Sequence, residues 1–125
     1  MNGEIPKSIV LANAKQEDIL REIKRERDAQ DAIFGVQDLP DGTGPDRLDV
    51  LGRGMDTFNE LADAHREACD IAFKYDYVTF RHVFLEEVYE AMAEKDPAKL
   101  RAELIQAIAV GVKWVESIDR RETNV

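Results

Sequence analysis

With 125 residues and 14.2 kDa, the chain has room for one domain and not for two. Its 44% hydrophobic residues suffice for a packed core and argue against wholesale disorder. The formal charge of -9, from 26 acidic and 17 basic residues, argues against binding to a nucleic-acid backbone, yet leaves nucleotides open, because a divalent cation bridges acidic groups to a polyphosphate.

From the start of the chain, Met1 to Val10 has neither the basic opening nor the long apolar run of a signal peptide. No later stretch approaches membrane-spanning length, so a cytoplasmic protein without a membrane partner is expected. Residues 1–12, with Pro6 and mixed polarity, read as an N-terminal arm, and residues 13–125 as a single helical domain. The first helix is predicted from about Asn13 to Phe34, with Asn13 and Gln16 at capping-box spacing. Its apolar stripe begins at Ile19, Leu20 and Ile23 and resumes at Ile33 and Phe34; between them stand Glu26, Arg27 and Gln30. Such a break either faces water or lines a polar cavity.

Gly35 to Asp46, with Pro40, Asp41-Gly42, Gly44 and Pro45, is turn chemistry. It lacks the GK[ST] of a phosphate-binding P-loop and reads as a loop shaping a pocket entrance. The second helix is predicted over roughly Met55 to Tyr75, with Phe58, Leu61, Ala62, His65, Ala68, Cys69 and Ala72 forming one amphipathic face. His65 there is a core residue with a hydrogen-bond partner. Cys69 is the sole cysteine, which excludes an intrachain disulfide and a thiolate zinc cluster and suits a reducing compartment. Thr79 caps a third helix running to about Lys95. Asp96-Pro97 then opens a fourth, to about Arg121, by placing proline at the first helical position. No segment alternates with period two, so the expected fold is an all-α, four-helix-bundle-like domain.

The chemistry concentrates on the last two helices. Glu87 and Glu90 are three apart and project from one side of the third helix; Glu103 and Gln106 do the same on the fourth. The short turn at Lys95 and Asp96 would bring these pairs face to face. At about 100° per residue, Glu87 falls between Phe80 and Val83 and Glu103 between Val110 and Trp114, both at the rim of an apolar sector. Carboxylates in such positions are costly without a cation or hydrogen-bond donors. Hard oxygen donors suit Mg²⁺, with Mn²⁺ as the alternative, rather than zinc. Glu86 points more toward solvent.

Glu86-Glu87-x-x-Glu90, followed after Ala91 to Ala102 by Glu103-x-x-Gln106, resembles the EExxE…ExxD pattern of the MazG-like all-α nucleoside triphosphate pyrophosphohydrolases. Arg25-Glu26-Arg27 with Gln30, Phe34-Gly35, Pro40 to Gly44, Thr79-Phe80-Arg81-His82 and Val112-Lys113-Trp114 through Arg121 are similar to its small phage and actinobacterial members. Two positions depart: Gln106 stands where that family usually has Asp, and Phe80 where Trp would be expected. The first brings no negative charge and leaves the number of metal ions open.

The resemblance implies a MazG-type fold, a homodimer or homotetramer, and Mg²⁺-dependent cleavage of a (deoxy)nucleoside triphosphate to the monophosphate and pyrophosphate. It implies metal ligands Glu87, Glu90, Glu103 and Gln106, and Glu86 as the base or water-orienting carboxylate. Lys113, Arg27 and Lys74 are the candidates to meet the outer phosphates, with Gln30 and His82 as further substrate contacts. Trp114 reads as packing rather than base stacking. Two alternatives stand beside this: a hydrolase of another nucleotide polyphosphate, and a catalytically weakened bundle that binds a nucleotide or a protein.

Overall fold

The computed structural model describes residues 3–47 and 56–123. Within them the chain forms four helices and no strand: α1 Lys7–Phe34, α2 Phe58–Lys74, α3 Phe80–Met92 and α4 Pro97–Thr123. This is the all-α architecture expected from the periodicity. None of the helices is long and apolar enough to cross a membrane. The chain divides into two compact units, Met1–Leu39 with Val112–Val125, and Pro40–Gly111, so α4 belongs partly to each.

In the first unit, α1 begins at Lys7 rather than near Asn13. Pro6 supplies the reason. Its ring presets φ at -54°, and its carbonyl accepts from the N–H groups of Ile9 and Val10 at 3.0 and 3.1 Å. Nothing from Lys7 to Ala12 breaks a helix, so the turn propagates through Asn13 and the expected capping box does not form. Gln16 instead donates from Nε2 to Glu116 Oε1 of α4 at 3.1 Å. Ile19 is the buried anchor of α1. The outer face carries ion pairs at helical spacing, Arg21 with Asp18, Lys24 with Asp28, and Arg27 with Asp31. Such exposed pairs contribute little, about 0.3–0.5 kcal/mol each. Gly35 ends the helix at φ 69°, a conformation that favours glycine, with its N–H on Asp31 O.

The second unit is built on the packing of α2 against α3. Its buried residues are mostly small: Ala62, Cys69 and Ala72 from α2, Ala91 from α3, and Leu100 and Ala107 from α4. Short side chains let helix axes approach closely. At Gly111 the backbone of α4 comes so near α3 that an added methyl would sit 3.5 Å from the Phe84 ring.

Local chemistry starts and stops each of these helices. Thr57 opens α2 with a capping box: Glu60 N–H donates to Thr57 Oγ1 at 3.1 Å, and Thr57 N–H to Glu60 Oε1 at 3.2 Å. The sequence-based start near Met55 lies outside the described residues. Thr57→Ala is expected to cost about 1 kcal/mol of stability, read as a lower midpoint in urea unfolding at unchanged slope.

At the other end of α2, Asp76 adopts φ 60°, and Tyr77 N–H returns to Ala72 O at 2.9 Å while Asp76 N–H reaches Phe73 O at 3.3 Å. These two bonds form a Schellman closure, in which aspartate tolerates the left-handed position usually given to glycine. Thr79 caps α3 as anticipated, with His82 as its reciprocal partner. The fourth helix starts at the anticipated Pro97, with Lys99 N–H donating to Asp96 Oδ2 at 3.1 Å.

Candidate metal centre

The constellation on α3 and α4 lies wholly within the second unit. Glu87 and Glu90 leave α3 one turn apart, and the short Ala93–Asp96 connection returns the chain so that Glu103 comes up beside them. One carboxylate oxygen from each of the three lies within 4.8 Å of the other two. All three side chains are half-buried rather than splayed into water. Among the described residues this is the one group of three or more acidic, histidine or cysteine side chains close enough to share an ion.

Its electrostatics are adverse without a cation. Glu87 Oε2 and Glu103 Oε2 are buried and accept no hydrogen bond from the protein. Burial pushes the Glu87 carboxyl above its ordinary value, and the neighbouring Glu90, Glu103 and Glu86 push it further. Glu103 is raised by burial first, then by Glu90 and Glu94, while Arg66 opposes the shift. Buried acceptors without donors, on clustered carboxylates, are the condition a hard divalent cation relieves. The three glutamates therefore fit Mg²⁺ or Mn²⁺ by donor chemistry, burial and mutual distance.

A cleft of about 350 Å³ opens beside the triad, lined by Asn59, Ala62, Arg66, Glu90, Ala93, Glu94 and Glu103. Arg66 sits on α2 and links two acids. Its Nη1 donates to Asp63 Oδ1 at 2.9 Å, and Nε and Nη2 both donate to Glu90 Oε1 at 3.3 Å. Residues 43–44 close in at the end of α3: Gly44 N–H donates to Met92 O at 2.9 Å, and Thr43 Oγ1 is buried with no partner. Gly44 holds φ 147°, a region that an L-residue reaches only with strain.

Glu86 is half-buried beside the triad, and after burial it is the next cause pushing the buried Cys69 thiol up to about 12. Cys69 thus stays protonated and is no nucleophile. Gln106 is exposed and, like Lys74 and His82, does not line the cleft. Lys74 Nζ lies 5.5 Å over the Tyr75 ring in the last turn of α2. His82 accepts the Thr79 N–H at Nδ1, 3.1 Å away, which gives it a capping role at the start of α3. His65 stacks on Tyr89 with ring centroids 4.6 Å apart.

Arg27, Gln30 and Lys113 belong to the first unit. There Arg27 donates to Gln30 Oε1 and Asp31 Oδ1, and Gln30 donates to Glu26 Oε1, a row satisfied along one helix face. Lys113 and Arg27 are exposed. The same unit holds an apolar cleft of about 480 Å³ between Ile19, Ile23 and Val115, edged by Glu22, Arg25 and Glu26. Of the polar break read along α1, Glu26 borders this cleft, and Arg27 and Gln30 are not in its lining.

Arg66, Asn59 and Glu94 were not singled out from the sequence. Arg66 follows directly after His65 in the apolar stripe of α2, which is the one linear sign that it stands near the core edge. Compared with protein-family models, curated proteins and solved structures, the chain matches none.

Proposed function

We propose that the protein is a Mg²⁺-dependent nucleoside triphosphate pyrophosphohydrolase of MazG-like type, active with Mn²⁺ as well. The observation that carries this reading is the triad itself: three glutamate oxygens within 4.8 Å, two of the side chains having a buried oxygen without a donor. The same three residues belong to the acidic motif that carries the resemblance. Glu87, Glu90 and Glu103 would hold the ion; Gln106, the further ligand that the resemblance implies, is exposed on α4 and outside the lining of the cleft. A bound divalent ion supplies charge neutralisation for the polyphosphate and acidifies a water for attack at neutral pH.

The chain's own groups account for the rest. Glu86, adjacent to the triad, accepts the proton from the attacking water or orients it. The cleft beside Glu90 and Glu103 admits a polyphosphate, whose negative charge a divalent ion held by the triad would balance against the acidic lining. Lys113, Arg27, Gln30, Lys74 and His82 remain the candidates for further substrate contacts. A cytoplasmic homodimer or homotetramer is part of the reading. It is supported by Phe73 on α2 and Ile105 and Ile108 on α4, each more than half exposed.

The test is phosphate release from a panel of ribo- and deoxynucleoside triphosphates with Mg²⁺, with and without added inorganic pyrophosphatase. Signal that needs the pyrophosphatase is the expected result, since it marks pyrophosphate as the product. Phosphate released without it points to a different bond and overturns the reading. A second reading, a nucleotide-binding bundle with little turnover, is favoured by the uncharged, exposed Gln106. It is supported instead if nucleotides raise the melting temperature and no phosphate appears.

A further inference from the structure

Arg66 is the one basic residue among the described residues that line the acidic cleft. Two of its nitrogens converge on the same oxygen of Glu90, a member of the triad, and a third holds Asp63. Its field also reaches Glu103, whose raised carboxyl it opposes. A guanidinium in this position does what a metal ion would do, in part: it neutralises Glu90. Its hold on Glu90 weakens once a dication is bound to the same carboxylates, because the two positive centres repel across a few ångströms. The two bonds to Glu90 are long, at 3.3 Å, and the side chain is 46% exposed, so releasing it costs little. A freed guanidinium at the lip of a cleft is a planar fork of donors matched to a phosphate.

We propose that Arg66 is a partner-exchanging counter-ion: it occupies Glu90 until a divalent ion arrives, and then turns to bind the triphosphate of the incoming nucleotide. This inference rests on the reading of the triad as a divalent-ion site. It assigns to α2 a substrate contact that the acidic motif does not contain. It also requires two opposite effects from one substitution, because Arg66 competes with the ion alone and cooperates with the ion and nucleotide together.

The experiment is calorimetric titration of the full chain with Mn²⁺ alone, then with a non-hydrolysable triphosphate analogue in saturating Mn²⁺. The proteins are wild type, R66Q, R66K and E103Q. R66Q is expected to bind Mn²⁺ alone roughly three- to tenfold more tightly than wild type, the competing charge being gone. It is expected to bind the analogue at least about tenfold more weakly. R66K keeps the charge and loses the fork, so it should hold wild-type Mn²⁺ affinity and still lose analogue affinity. Unchanged or weaker Mn²⁺ binding by R66Q, or wild-type analogue binding by both variants, overturns the proposal for Arg66. Mn²⁺ binding by wild type that disappears in E103Q upholds the metal reading whatever Arg66 does; no Mn²⁺ binding by wild type overturns both.

Discussion

Glu87→Gln and Glu103→Gln are each expected to lower Mg²⁺-dependent pyrophosphate release by on the order of 10²- to 10³-fold in kcat/KM. The carboxamide keeps the shape of the side chain and removes its charge, so the fold around the triad is retained while the ion loses a third of its anionic ligands. These two positions carry the largest expected effect because their buried oxygens have no other partner. Glu90 differs in being already held by Arg66. The measurement is initial rate across a Mg²⁺ titration. Raising Mg²⁺ should recover only part of the lost activity, since the ligand set itself is incomplete. Wild-type turnover in either variant would remove the triad from the chemistry and leave a helical bundle of another purpose.

The second large effect is on stability, and its sign depends on whether the ion is present. Burial raises the carboxyls of Glu87 and Glu103 in the folded chain above the ordinary value of 4.5. The folded state therefore holds protons more tightly than the unfolded state across the window between that value and the raised ones. Stability from these groups is fully present below about pH 4.5 and is lost as pH rises through the folded values. In EDTA at neutral pH, Glu87→Gln or Glu103→Gln should thus raise the melting temperature, because the neutral amide removes the clustered charge.

With Mg²⁺ the order reverses. Wild type gains about 2.7 kcal/mol at an ion concentration one hundred times its Kd, and the variants gain almost nothing. Thermal melts from pH 4.5 to 7.5, with EDTA and with Mg²⁺, test both limbs. Variants destabilised in EDTA, or wild type indifferent to Mg²⁺, would show that the triad is relieved by something other than a cation.

The parts of the molecule that were legible beforehand are those set by contacts within a turn or two of helix. Thr79 and Asp96-Pro97 announce helix starts through hydrogen bonds to backbone groups three residues on, and α3 and α4 begin there. The stripe from Phe58 to Ala72 announces a buried face, and Ala62, Cys69 and Ala72 lie in it. Glu87 and Glu90 are neighbours on any helix. Glu103 could be added because the link to α4 is too short for anything except a tight return.

Where the linear reading went astray, or stopped, the missing information was non-local. Asn13 and Gln16 have capping-box spacing, but Pro6 had already nucleated α1, and Gln16 takes its partner from Glu116, one hundred positions away.

Composition and short-range periodicity were enough to specify an all-helical chain with acidic pairs on its last two helices, because helix propensity, capping and one-turn spacing are properties of adjacent residues. Which oxygens end up buried without a donor, and that an arginine from α2 leans across to Glu90, depended on how α2, α3 and α4 pack. Those facts follow from contacts between residues far apart in the chain, which no local pattern encodes.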